Sequence, residues 1–247
     1  MCRRITCWKL RADLARLPFL TAACWPPFSH PLVTSTTMRK PMSFPSVVLL
    51  DAMGVLYESA DDVAELLVPF VMARSPATSV GAIQDAYRRA SIGEYDAAGF
   101  WAQVGLPESM EDEYLEGHKL QAGLPAFLDY LEAQQVRVAC LSNDVARWSV
   151  KLRRKFGIED RFERWFISGE LGWRKPDSRI YAAAINALGI DAAHILFVDD
   201  RQANVDAAEG AGLQALRFGS GQTAGQAVGG FHDLTRWLRG EGDGPLL

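Results

Sequence analysis

Apolar residues in this chain fall into short continuous runs, separated by longer stretches with helical spacing. Val47–Leu50 is a β-branched and aliphatic run ending at Asp51. Similar runs recur at Val136–Leu141, Ile195–Val198 and Leu213–Phe218, with a weaker one at Trp165–Ser168. Runs of this length without polar alternation predict strands buried on both faces, as in a parallel sheet. Between them, Leu124, Phe127, Leu128 and Leu131 follow the i, i+3, i+4, i+7 rule of a helix with one buried face. Val145, Trp148 and Leu152 do likewise after Asp144, an expected N-cap. Ile180, Tyr181, Ala184 and Leu188 repeat the spacing between a cap at Asp177 or Ser178 and a closing Gly189. Strands alternating with helices predict an α/β fold, a doubly wound parallel sheet.

The alternation stops from about Glu58 to Gln121. Val63, Leu66, Leu67, Phe70 and Val71 form one helical stripe, with a kink expected at Pro69. Ala82–Ala90 and Ala97–Val104 also read as helices, and no strand is legible there. The expected layout is therefore a sheet-bearing core from residues 45–57 and 122–247, with an all-helical cap inserted at 58–121.

Composition narrows the function. A chain of 247 residues, 49% of them hydrophobic, has enough apolar side chain for an α/β domain with an insertion, and this excludes disorder throughout. No run of 18 apolar residues occurs, so a spanning helix is not expected. A net charge of −4 argues against nucleic acid or an anionic membrane as the main partner. The four cysteines (Cys2, Cys7, Cys24 and Cys140) lack CxxC spacing and support neither a disulfide scaffold nor a zinc site. Charge is unevenly placed. Residues 1–44 hold seven Lys/Arg against Asp13 alone, and the remainder holds 19 against 29 acids. The apolar stretch Leu17–Ala23 is interrupted by Pro18 and Thr21 and is short for an export signal. The opening 44 residues therefore read as a poorly ordered basic extension, and the expected compartment is the cytoplasm. Oligomeric state, monomer or dimer, stays open.

The acids at strand ends carry the chemistry. Asp51 ends the first run, and Asp199 and Asp200 end the fourth. If strands two and three build outward on one side of strand one and strand four returns to the other, these acids meet at the switch point where open α/β sheets bind ligands. Ser142 and Asn143 end the second strand, and Lys175 precedes a helix. Three clustered carboxylates repel one another, and one lysine offsets only part of that charge. A hard divalent cation with oxygen ligands, most simply Mg²⁺, is the ordinary remedy. An anionic small-molecule substrate could then be bridged by the metal, Lys175 and Ser142, with Asp51 free to attack it.

Four stretches, Val47–Leu56, Val138–Asn143, Arg174–Asp177 and Phe197–Arg201, resemble in order and spacing the four motifs of the haloacid dehalogenase-like hydrolase superfamily, in its helical-cap form. The resemblance covers residue 46 to about 220 and implies a Rossmann-like core. It implies that Asp51 is the nucleophile of a covalent aspartyl intermediate, that Ser142 and the Asn143 backbone bind the transferring group, and that Lys175 neutralises charge. Asp51, the Met53 carbonyl and Asp200, with Asp199 beside it or through water, would hold Mg²⁺. One position departs from the family's phosphatases: Met53 stands where they carry a second Asp that shuttles a proton, an effect worth ~10²–10⁴-fold. Asp51-Ala52-Met53-Gly54 is instead similar to the opening of the metal-free 2-haloacid dehalogenases, but those lack acids corresponding to Asp199 and Asp200. The leading expectation is an Mg²⁺-dependent phosphatase of a small phosphorylated metabolite. The alternatives are a metal-independent dehalogenase and a catalytically silent binding protein.

Other groups receive blander readings. Arg88 and Arg89 in the insert read as a solvated helix face, with anion clamps on the substrate as the alternative, and the run Lys151, Arg153, Arg154 and Lys155 reads as a solvated face. Trp101, Trp148 and Trp173 read as packing, and Cys140 as core. His118, His194 and His232 show no ligand spacing.

Overall fold

The computed structural model describes residues 44–219 and 227–241. The basic extension expected over residues 1–44 lies outside them, apart from Phe44. Six strands form one parallel sheet: β1 (Val47–Leu50), β2 (Arg137–Ser142), β3 (Arg164–Ile167), β4 (Ile195–Asp199), β5 (Gln214–Phe218) and β6 (Ala227–Val228). Their order is β3-β2-β1-β4-β5-β6, with the turnaround between β2–β1 and β1–β4 that the strand-end argument required. Leu50 pairs with Cys140 on one side and Val198 on the other, so Asp51 and Asp199 emerge next to each other at the carboxyl edge.

Side-chain alternation explains why the sheet is covered twice. Val48 and Leu50 face one layer and Val47 and Leu49 the other, and none of the four is exposed. The first layer is built from α5 (Leu124–Ala133), α6 (Ala146–Lys155) and α10 (Phe231–Leu238). The second is built from α8 (Ser178–Leu188) and α9 (Gln202–Gly210). Asp177 caps α8 through its side chain and left-handed Gly189 ends it. At α6 the cap position falls to Val145 rather than Asp144, whose carboxylate instead accepts the Val145 N–H at 2.7 Å.

Between β1 and β2 run α1 (Val68–Arg74), α2 (Val80–Ala90), α3 (Ala97–Gln103) and α4 (Glu111–Glu116). The chain leaves and returns side by side: Glu58 N–H donates to Lys119 O at 3.0 Å, and Gln121 N–H to Leu56 O at 2.8 Å. Pro69 does not kink one long helix. A wide π turn over Val63–Leu67 precedes α1, and Pro69 falls in the first turn of α1, where its missing N–H costs least. The basic run on α6 is not a free solvated face. Lys151 pairs with Glu111 (2.8 Å) and Asp112 (2.5 Å), and Lys155 with Glu116 (3.0 Å), which ties α4 down onto α6. Buried Glu111 also accepts from Arg147 (2.6 Å), Trp148 (2.9 Å) and Trp101 (3.2 Å). Trp101 and Trp148 are core, as is Cys140, whereas Trp173 is 37% exposed under Arg179.

Candidate active site

The switch point brings Asp51, Asp199 and Lys175 into direct contact. Lys175 lies in the loop between the short helix α7 (Ser168–Leu171) and α8, and its ammonium is buried. It donates to Asp51 Oδ1 at 2.6 Å, Asp199 Oδ2 at 2.8 Å and Leu141 O at 2.7 Å, which uses all three of its N–H bonds. Asn143 fixes this loop from β2. Its Oδ1 accepts the Lys175 N–H at 2.7 Å, and its amide donates to the Lys175 carbonyl at 2.9 Å. The Asn143 side chain is thus spent on holding the lysine.

The two neighbouring acids of β4 differ sharply. Asp199 has no exposure and is saturated: besides Lys175 it accepts from the Arg201 N–H at 2.8 Å and the Asn204 amide at 3.0 Å on each oxygen. Asp200 is the under-satisfied one, with Oδ1 buried and lacking any hydrogen-bond partner among the described residues. Burial, and then Asp199 beside it, push its carboxyl up to about 6. Burial and Asp199 likewise push Asp51 well above the ordinary carboxylate range, with Lys175 pulling it back. Burial also works against the Lys175 ammonium, but the two facing carboxylates outweigh it and hold the lysine protonated.

Oxygens of Asp51, Asp199 and Asp200 lie within 4.8 Å of one another. An acid cluster with one committed lysine and an orphaned buried oxygen fits a hard divalent cation. The saturation of Asp199 leaves Asp51 and Asp200 as the side chains open to it. Gly54 permits this closeness. Its φ is +77°, and a Cβ there would sit 2.8 Å from Asp200 Cγ and Oδ2.

Asp51 and Lys175 line a cavity of about 190 Å³ between the sheet edge and the helical insert. Ser142 lines it with a buried hydroxyl that has no partner among the described residues, the other orphaned group at the sheet edge. Met53 lines it too, offering no titratable side chain. A wider depression of about 750 Å³, bordered by Phe44, Tyr130 and Leu238, contains none of the strand-end residues.

The insert contributes a wall of which the sequence pointed only to Arg88. Tyr87 donates its hydroxyl to Asn143 O at 2.8 Å. Arg174 donates to Ser91 Oγ and lies over the Tyr87 ring at 5.4 Å. Arg201 reaches Ala60 O at 3.2 Å. Neither arginine has a carboxylate within ion-pair distance among the described residues, so both leave positive charge at the cavity. Arg88 borders it as well but pairs with Asp85, and Arg89 pairs with Glu94 at 2.6 Å. Adjacency to Lys175 and Asp200 was the only sequence signal for Arg174 and Arg201, and it carries no side-chain direction. Asp62, buried on the same wall, had no signal at all.

Comparison with known proteins gives the family. The family model described as haloacid dehalogenase-like hydrolase matches residues 45–212. The phosphoglycolate phosphatase of Pseudomonas putida is 30% identical over 205 residues, covering 76% of this chain and 74% of that protein. Among solved structures, L-2-haloacid dehalogenase from Xanthobacter autotrophicus superposes with a TM-score of 0.59 at 18% identity, over 80% of this chain and all of that one. A family enzyme from Bacteroides thetaiotaomicron, in complex with magnesium and inorganic phosphate, gives 0.57 at 19% identity, over 73% and 97%. At these identities the structural likenesses speak for the fold alone. With three motifs at strand ends, a fourth in the loop before α8, and a family match over most of the described residues, the chain is a hydrolase of the haloacid dehalogenase-like superfamily.

Proposed function

We propose that this hydrolase is an Mg²⁺-dependent phosphatase of a small anionic phosphorylated metabolite, acting through a phosphoryl-Asp51 intermediate. The observation that carries the reading is the unpartnered buried oxygen of Asp200 beside Asp51, in a cluster whose one lysine is fully committed. Asp51, Asp200 and the Met53 carbonyl would hold the ion, with Asp199 set behind them on Lys175 and Asn204. Bound there, Mg²⁺ supplies charge neutralisation for the phosphoryl oxygens and lowers the pKa of its acid ligands. Ser142 Oγ, which has no partner among the described residues, is placed to donate to a phosphoryl oxygen, and the Asn143 backbone assists. Lys175 screens Asp51 from the incoming anion. Residues 45–57 and 122–247 act as the catalytic core, and 58–121 close over it as the cap.

Support for a phosphate ester over a haloacid comes from Asp200. A second under-satisfied carboxylate beside the nucleophile repels a bare carboxylate substrate, but suits a metal and a phosphate. The relatives named phosphoglycolate phosphatase point to the same class, and Arg174 and Arg201 suit a substrate with a further anionic group. The dehalogenase reading is favoured by Met53, since halide departure needs no proton. A panel of phosphate esters and 2-chloropropionate, each with Mg²⁺ and with excess chelator, tests the assignment. Phosphate release that requires Mg²⁺ supports it. Chelator-resistant chloride release supports the dehalogenase, and silence on every substrate supports a binding protein.

A further inference from the structure

Met53, which offers no acid, shares its cavity with Asp62. Asp62 and Asp61 precede the π turn together, where carboxylates ordinarily take up the first free N–H groups. Asp61 does this work. Its Oδ1 accepts the Ala64 N–H at 3.2 Å, and Glu65 reaches back to the Asp61 N–H at 3.1 Å, a reciprocal cap. Asp62 makes no capping bond, is 4% exposed and lines the same cavity as Asp51 and Ser142. Its Oδ2 meets the Tyr114 hydroxyl at 3.4 Å and His118 Nε2 at 3.9 Å. No lysine or arginine lies within ion-pair distance of it among the described residues.

His118 is the second part of the arrangement. Its side chain is fully buried, and neither ring nitrogen has a hydrogen-bond partner among the described residues. Tyr57 and Tyr114 contact the ring edge-on, at 6.2 and 5.2 Å between centroids. A buried imidazole left unpaired costs stability that an apolar residue would not. Its Nε2 stands 3.9 Å from the carboxylate of Asp62, a residue that lines the cavity. The other ionisable groups around the pair are Tyr87 from α2, Asp144 from the loop after β2 and, beyond them, Arg174.

We infer that Asp62 is the general acid and base of the reaction, standing in for the carboxyl absent at Met53, and that His118 is its positioning residue. The inference rests on the phosphatase reading above. An Asp51 oxygen attacks phosphorus while the bond from phosphorus to the leaving oxygen breaks. The Asp62 carboxyl gives its proton to that oxygen, and the alcohol departs. The Asp62 carboxylate then takes a proton from water as the water oxygen attacks the aspartyl phosphorus. The acyl phosphate bond breaks, returning the Asp51 carboxylate and inorganic phosphate.

Leaving-group dependence tests this. In Asp62→Asn, kcat/KM, which reports the steps up to departure of the leaving group and not the shared hydrolysis of phospho-Asp51, falls ~10²-fold or more on β-glycerol phosphate, whose alkoxide needs a proton, but under ~10-fold on para-nitrophenyl phosphate, with its weakly basic leaving group. Both rates come from one sample, so their ratio is independent of the folded fraction. His118→Gln shifts a limb of the kcat–pH profile on β-glycerol phosphate while KM stays within about threefold. Equal losses on the two esters, or no loss, overturn the role of Asp62 while leaving the phosphatase reading in place. A wild type inactive on both esters overturns both.

Discussion

Replacing Lys175 with methionine should turn the centre of the site from its best-satisfied point into its weakest. The lysine is 4% exposed, and its three bonds to Asp51, Asp199 and Leu141 O are all between 2.6 and 2.8 Å. Methionine keeps most of the volume, so the loss is of charge rather than packing. Leaving buried carboxylates without their cation costs about 3–5 kcal/mol. At roughly 2–4 °C per kcal/mol for a chain of this size, Tm should fall by about 6–20 °C at pH 8. The sign of the pH dependence follows from Asp51. Burial and Asp199 already raise its folded pKa, and Lys175 is the group pulling it down. Without the lysine the folded value rises further, so the deficit against wild type grows as pH rises through the already raised wild-type folded pKa of Asp51 and fades below it. Circular-dichroism melts of both proteins at pH 4.5, 6 and 8 should show the deficit shrinking on acidification. Added Mg²⁺ should recover part of it at pH 8. An unchanged Tm at pH 8, or a deficit that widens toward pH 4.5, would refute this account of the charge balance.

Gly54→Ala should cost about 1–2 kcal/mol for its left-handed backbone and displace Asp200, weakening Mg²⁺ binding in calorimetry beyond what the melting shift explains. Mg²⁺ affinity of the wild type should fall as pH drops through about 6, where Asp200 takes up its proton, and an affinity flat from pH 8 to 5 would count against Asp200 as a ligand. Glu111→Gln should cost about 1.5–3 kcal/mol at pH 7, because Arg147 and Lys151 outweigh burial and hold the native carboxylate below its ordinary range. That contribution exists above the unfolded ~4.3, so the gap between the two proteins should close as pH falls below ~4 in denaturant titrations. Met53→Asp placed in the Asp62→Asn background should restore part of the lost turnover of β-glycerol phosphate, measured as kcat against the single variant.

The central part of the sheet and its chemical edge were legible because β1 and β4 are unbroken apolar runs closed by an acid, Val47–Leu50 before Asp51 and Ile195–Val198 before Asp199. That pattern places the residue after the run at the carboxyl edge, whatever lies between strands. The helical insert was legible only as helix. Its α4, the charged Glu111–Glu116, has no apolar stripe to announce it, and it is held by Glu111 ion pairs with α6 that no spacing rule reveals. For the same reason Lys151 and Lys155 read as solvated although they bridge two helices. β6 is two residues long and falls below any periodicity. Arg174, Arg201 and Asp62 belong to the cavity because the insert folds back over the sheet edge, a tertiary fact absent from local pattern. The difference between Asp199 and Asp200, adjacent and chemically identical, is set by Asn204 and Lys175 and could not be read from the chain.

The central claim is that Asp51 attacks phosphorus with Mg²⁺ present, and Asp51→Asn tests it directly because the substitution keeps volume and removes the nucleophile's charge. The measurement is phosphate release from para-nitrophenyl phosphate by wild type and Asp51→Asn, each with Mg²⁺, then with excess EDTA, then with Mg²⁺ restored. The account predicts wild-type turnover that EDTA abolishes and Mg²⁺ returns, and no turnover above background from a folded Asp51→Asn in any condition. Comparable activity in the Asn variant, or full wild-type activity in EDTA, would contradict it.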